Sequence, residues 1–129
     1  MTRMFLNGTA MSGGALHHIL KGAPLVAAVR TAPKYRFYSV GDRFPAIEAV
    51  AEGGVSVAGE LYDIPWDVLE NSVLPSEPAE LELGVIELED GSGCLSMIRR
   101  ASYVEPDVYR DISEHADWRT YKATVEAGS

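Results

Sequence analysis

The sequence predicts an α+β fold: a small, curved, mixed β-barrel or partial barrel with short helices packed outside it. Three observations carry that expectation. Short strand-like and helix-like segments follow one another without regular strand–helix–strand alternation. Asp90-Gly91-Ser92-Gly93, between two apolar stretches, is a strong hairpin signal. The apolar phase of residues 81–89 also switches beside Gly84, as a β-bulge or a barrel corner would require.

Residues 3–7 read as a short strand and residues 8–14 as a loop with three glycines. Residues 15–21 look like a short helix that Gly22 ends. Residues 24–30 (PLVAAVR) form a buried-strand candidate. Residues 34–40 alternate, with Tyr35 and Phe37 on one face and Arg36 and Tyr38 on the other. Residues 41–45 read as a turn. Residues 55–64 are the clearest strand, with Glu60 and Tyr62 sharing a face. Pro65 then suits the first position of a helix over residues 66–73, and Asp67 favours its first turn. Residues 74–80 are an acidic loop containing Pro75 and Pro78. Residues 94–99 return from the hairpin. Ser113 is the expected N-cap of a last helix carrying Trp118, Tyr121 and Val125 as an apolar stripe.

The chain has 129 residues, the size of one domain spanning 1–129. Nineteen acidic and 11 basic side chains give a formal charge of −8, which argues against nucleic acid or an anionic membrane as partner. A small anionic or polar metabolite remains compatible. The single Cys94 excludes a disulfide framework and a thiolate cluster, and points to a cytoplasmic setting. The first apolar run ends at Asn7-Gly8, too soon for a signal peptide, and no stretch nears the ~18 apolar residues of a membrane span. His and acidic residues show no metal-ligand spacing, so neither a metal nor another cofactor is expected.

The first strand with its Gly-Thr loop, "KYRFY" and "GELYDIP", followed by a strand after an acidic loop, resemble the γ-glutamylcyclotransferase-like fold. Four segments in order resemble more closely the C-terminal domain of allophanate hydrolases, which shares that fold. They are "RTAPKYRFY" (30–38), "GELYDIP" (59–65), "LGVIELEDG" (83–91) and "DISEHADWRTYKA" (111–123). The cyclotransferase motif Tyr-Gly-Ser/Thr-Leu is matched by Asn7-Gly8-Thr9-Ala10, with Asn for Tyr and Ala for Leu. In the allophanate hydrolase domain this loop carries a His associated with decarboxylation of an N-carboxylated urea-type intermediate. Ala10 occupies that place here.

The resemblance implies a chemistry. In the cyclotransferases the substrate's α-amine attacks its γ-glutamyl carbonyl, releasing 5-oxoproline and an amine. One carboxyl group moves the proton, and loop N–H groups hold the negative charge. Asn7, Gly8, Thr9, Ala10 and Met11 would form that loop. The family's acid/base Glu follows the helix after the "GELYDIP" strand. Without gaps Ser76 takes its place and Glu77 falls one residue late. Glu77, Glu80 and Glu82 are therefore the catalytic candidates, against the alternative of a solvated acidic edge. Arg36 and Tyr38 are either cavity-lining carboxylate binders or cross-strand pairing residues. Glu60 poses the same choice, and Tyr62 and Trp66 also suit a core junction.

Neighbouring His17 and His18 point ~100° apart on a helix and cannot face each other. They read as surface residues unless one reaches the loop. Cys94 reads as a small packed side chain.

Three functions follow. One is a small enzyme using carboxylate acid/base catalysis on a γ-glutamyl, amide or urea-type substrate. The second is a stand-alone relative of the allophanate hydrolase domain, as a lyase or as a homodimeric or amidase-docking module. The third is a metabolite binder without catalysis.

Overall fold

Strand β1 (Thr2–Leu6) is the middle of a five-stranded sheet. The computed structural model describes residues 2–100 and 109–127. The other strands are β2 (Leu25–Arg30), β3 (Tyr35–Val40), β4 (Phe44–Ala49), β5 (Ala58–Ile64), β6 (Leu81–Glu87), β7 (Gly93–Arg99) and β8 (Tyr109–Asp111). The larger sheet runs β2-β5-β1-β7-β6 and the smaller β4-β3-β8. β1 pairs antiparallel with β5 and parallel with β7, so the larger sheet is mixed. A bridge between Thr31 and Leu88 brings the ends of β2 and β6 together. There Ala32 N–H donates to the Glu87 carbonyl at 2.9 Å and Glu89 N–H to that of Arg30 at 3.1 Å. The sheet thus curls into a nearly closed barrel. A second bridge, Tyr35 to Val55, ties the smaller sheet on. Met4, Phe5, Phe37, Ile47, Tyr62 and Ile64 fill the core they share. The mixed α+β architecture is the one the sequence predicts.

Several local features differ from expectation. β2 is not buried: it is an edge strand, and Leu25 is 51% exposed. β4 occupies residues expected to begin in a turn or carrying no assignment, and it pairs along its whole length with β3. The phase switch in β6 is not a bulge, because its register with β7 is unbroken from Leu81↔Arg99 to Glu87↔Gly93. Gly84 instead makes room for Ile98, whose Cδ1 would lie 2.6 Å from an added Cβ. The Asp90–Gly93 turn forms as expected, with Gly91 left-handed at φ +87° and Asp90 accepting from Ser92 N–H.

Helices are shorter or differently capped than the sequence suggests. Residues 15–21 yield one 3-10 turn, His17–Leu20, closed by left-handed Lys21 and Gly22. The helix after Pro65 starts as an α turn, α1 (Trp66–Val68), then widens to a π turn over Leu69–Val73 and tightens to 3-10 over Leu74–Ser76. Trp66 is 59% exposed rather than core. Helix α2 (Trp118–Ala127) is capped by Asp117, which accepts from Arg119 N–H at 3.0 Å. Ser113 is not its cap; its hydroxyl accepts from Phe37 N–H at 2.8 Å and closes the smaller sheet. Trp118, Tyr121 and Val125 do face the core.

Candidate active site

The loop leaving β1 uses its carbonyls internally. Gly8 accepts from Met11 N–H at 3.1 Å, Thr9 from Leu16 N–H at 3.0 Å, and Ala10 from His17 Nδ1–H at 3.0 Å. His17 therefore reaches the loop. Gly14 passes so close to the Thr9 carbonyl that no Cβ fits. Among the described residues, the N–H groups of Gly8, Thr9 and Ala10 have no hydrogen-bond partner. Unpartnered consecutive amides suit an anion or a developing oxyanion.

These three residues line a cavity of about 40 Å³ together with Asn7, Glu77 and Ser96. Phe44, Pro45, Leu81 and Met97 supply an apolar wall. The Nδ2 of Asn7 is buried without a hydrogen-bond partner. Burial in this wall pushes the Glu77 carboxyl up to about 7. Among the described residues no Lys, Arg or His lines the cavity to offset its charge.

The other candidates lie elsewhere. Glu80 is buried against Arg43 at 3.4 Å, and Glu82 on β6 pairs with Arg100 at 3.5 Å. Neither lines the cavity. Arg36 holds Asp111 at 2.8 Å and the Gly53 carbonyl, and Tyr38 lies beneath the Arg99 guanidinium beside Tyr109. Both belong to the outer contacts of the smaller sheet. Met11 is buried behind the loop and faces a separate groove with Glu60 and Arg119.

Glu60 is the residue whose importance the sequence leaves open. It is 6% exposed, yet both oxygens are occupied. Ser12 N–H donates to Oε1 at 2.7 Å, Ser12 Oγ to Oε2 at 2.8 Å, and the Tyr62 hydroxyl to Oε1 at 2.8 Å. Arg119 Nη2 lies 3.5 Å away. Burial raises the carboxyl, but the two Ser12 bonds, the Tyr62 hydroxyl and Arg119 outweigh it and hold Glu60 below its ordinary range. The signal that points to it is its shared face with Tyr62, one strand from the loop.

Cys94 is half-buried, and burial pushes its thiol up to about 11, so it stays protonated. Among the described residues no group of three or more His, Cys, Asp or Glu side chains could hold a metal, and no helix is long and apolar enough to cross a membrane.

The family model of the allophanate hydrolase C-terminal domain matches residues 2–123. Among solved structures, a uropathogenic E. coli-specific protein is 35% identical with a TM-score of 0.87, and the alignment covers 95% of each chain. The K. lactis allophanate hydrolase is 23% identical with a TM-score of 0.87, over 96% of this chain and 21% of that one. An AIG2-like protein from Mus musculus shares the fold at a TM-score of 0.59 and 19% identity, over 84% of this chain and 82% of that one. No curated protein matches. The chain thus spans nearly all of the E. coli protein and about a fifth of the K. lactis enzyme. By the match over residues 2–123, the chain belongs to the allophanate hydrolase C-terminal domain family.

Proposed function

We propose that this chain is a small-molecule enzyme in which Glu77 moves a proton on a small amide, urea-type or γ-glutamyl substrate. One observation carries this reading: a carboxyl pushed up to about 7 by burial lines the same cavity as Gly8, Thr9 and Ala10, three loop residues whose amides have no partner. A carboxyl with that pKa is populated in both forms near neutral pH, which suits general acid–base work. As carboxylate, Glu77 takes the proton from an attacking nitrogen; as acid, it returns one to the leaving nitrogen. Oxygen charge that develops meanwhile faces the Gly8–Ala10 amides. Asn7 Nδ2 adds a buried donor. The small cavity favours compact urea- or carbamate-type substrates over γ-glutamyl amides. For a carbamate, neutral Glu77 would protonate the nitrogen so that CO₂ leaves. A cytoplasmic setting and an amidase partner fit the same reading, the latter because the fold recurs as one part of the larger K. lactis enzyme.

The test is mass spectrometry of the purified protein with γ-glutamyl amides, ureas and allophanate, following 5-oxoproline, ammonia and CO₂. The expected result is turnover of one class, reduced about 10²-fold or more by Glu77→Gln. Equal activity in Glu77→Gln would remove Glu77 from the chemistry.

A further inference from the structure

We infer that Glu60 is a positioning residue that grips the glycine loop from behind, with Arg119 joining the C-terminal helix to the same grip. The inference builds on the site just proposed, because the gripped loop carries Gly8, Thr9 and Ala10, which line the cavity. Glu60 itself does not line that cavity. Its two oxygens take the amide and the hydroxyl of one residue, Ser12, at 2.7 and 2.8 Å. Two bonds to one residue fix orientation as well as distance. Arg119 Nη2 closes the grip from α2, donating to the Ser12 carbonyl at 2.5 Å and lying 3.2 Å from its hydroxyl.

The grip reaches the cavity by a short route. Tyr62 donates to Glu60 and lies against the His17 ring, with centroids 5.9 Å apart. His17 in turn holds the Ala10 carbonyl. Ala10 is one of the three cavity-lining residues whose amides have no partner. The loop's own turns, from Gly8 to Met11, Met11 to Gly14 and Thr9 to Leu16, do not depend on Glu60. Losing Glu60 therefore leaves the loop folded but without the hydrogen bonds that tie Ser12 to β5. Because Glu77 shares its cavity with Gly8, Thr9 and Ala10, a loosened loop would admit water beside it. A Gln at position 60 retains the reach but presents one donor and one acceptor where Ser12 and Arg119 require two acceptors.

The experiment uses the full chain and two variants, Glu60→Gln and Ser12→Ala. Ser12 is exposed, so its variant keeps the fold while removing the hydroxyl's two bonds, to Glu60 and from Arg119. Three NMR readouts are compared with wild type: ¹⁵N relaxation of Gly8, Thr9 and Ala10; the Glu77 titration; and loop shifts with sodium formate as probe. Both variants are expected to show larger amplitude motion at the three amides and formate affinity weakened several-fold. Glu77 should titrate below its wild-type value, with Glu60→Gln the larger effect. Unchanged loop relaxation in both variants would overturn the inference, even if the melting temperature falls. A wild-type Glu77 titrating as an ordinary carboxyl would instead sink the proposed catalysis, and the relaxation data would still decide the role of Glu60.

Discussion

Glu60 and Glu77 are two carboxylates that the fold pushes to opposite sides of their ordinary range. For Glu60, hydrogen bonds outweigh burial; for Glu77, burial acts without a partner. The second case has a cost in stability with a definite sign. Unfolded Glu77 releases its proton near 4.5, folded Glu77 near 7, so between those values the folded state binds more protons. Stability then falls as pH rises through that window. The gap between 4.5 and about 7 corresponds to about 3 kcal/mol. Glu77→Gln is therefore expected to melt higher than wild type at pH 8 and equally at pH 4, by thermal denaturation at both. A matching melting curve at pH 8 would mean that Glu77 is not desolvated. Sequence alone could nominate Glu77, Glu80 and Glu82 but not rank them, because ranking depends on the wall brought by Phe44 and Met97 from distant strands. Glu60 was legible only as a face-mate of Tyr62. Nothing local in "GELYDIP" reveals that Ser12, 48 residues earlier, meets it.

At the scale of elements, what could be read in the chain follows how local its cause is. The Asp90–Gly93 hairpin is set by its own turn residues and was legible. The stripe of α2 was legible for the same reason. β4 was not, since "FPAIEA" forms a strand by pairing with β3 rather than by propensity. β2 reads as buried from its apolar run, and only the sheet order reveals an edge. α2 also fastens the β3–β4 turn: the Tyr121 hydroxyl donates to Asp42 at 2.6 Å, and Lys122 to the Asp42 carbonyl at 2.8 Å. The Tyr121 hydroxyl, then that of Ser39, holds the Asp42 carboxyl below its ordinary range. A depressed carboxyl stabilises above its unfolded pKa and loses that contribution as pH falls through the folded one. Tyr121→Phe is expected to cost about 1 kcal/mol at pH 7 by urea denaturation. Once Asp42 is protonated in acid, the difference from wild type should shrink. A difference constant with pH would show that the hydroxyl does not stabilise the charge.

Across the whole molecule, the Thr31–Leu88 seam turns a five-stranded sheet into a nearly closed wall, with the glycine loop between that wall and the smaller sheet. The curvature was expected; of the two readings of the phase switch beside Gly84, a bulge or a barrel corner, the unbroken β6–β7 register excludes the bulge, and closure comes from a long-range bridge. The order of the four family-like segments was visible in sequence because it spans the chain, as the match over residues 2–123 does. The π turn at Leu69–Val73 has a consequence for comparing such chains. A π turn accommodates one more residue than an α turn along nearly the same path, and one residue is the offset of Glu77 from the family pattern. Insertion and compensation can thus coexist in a single helix: the count of residues changes while the endpoint stays. Deleting exposed Asn71 is accordingly expected to convert the turn to α geometry and leave Glu77 still titrating near 7. A collapse to ordinary carboxyl titration would show that the extra residue sets the endpoint. Counting positions alone sets Ser76 against the carboxylate that the resemblance implies; under the proposed function, the π turn is a local way for Glu77 to take that place instead.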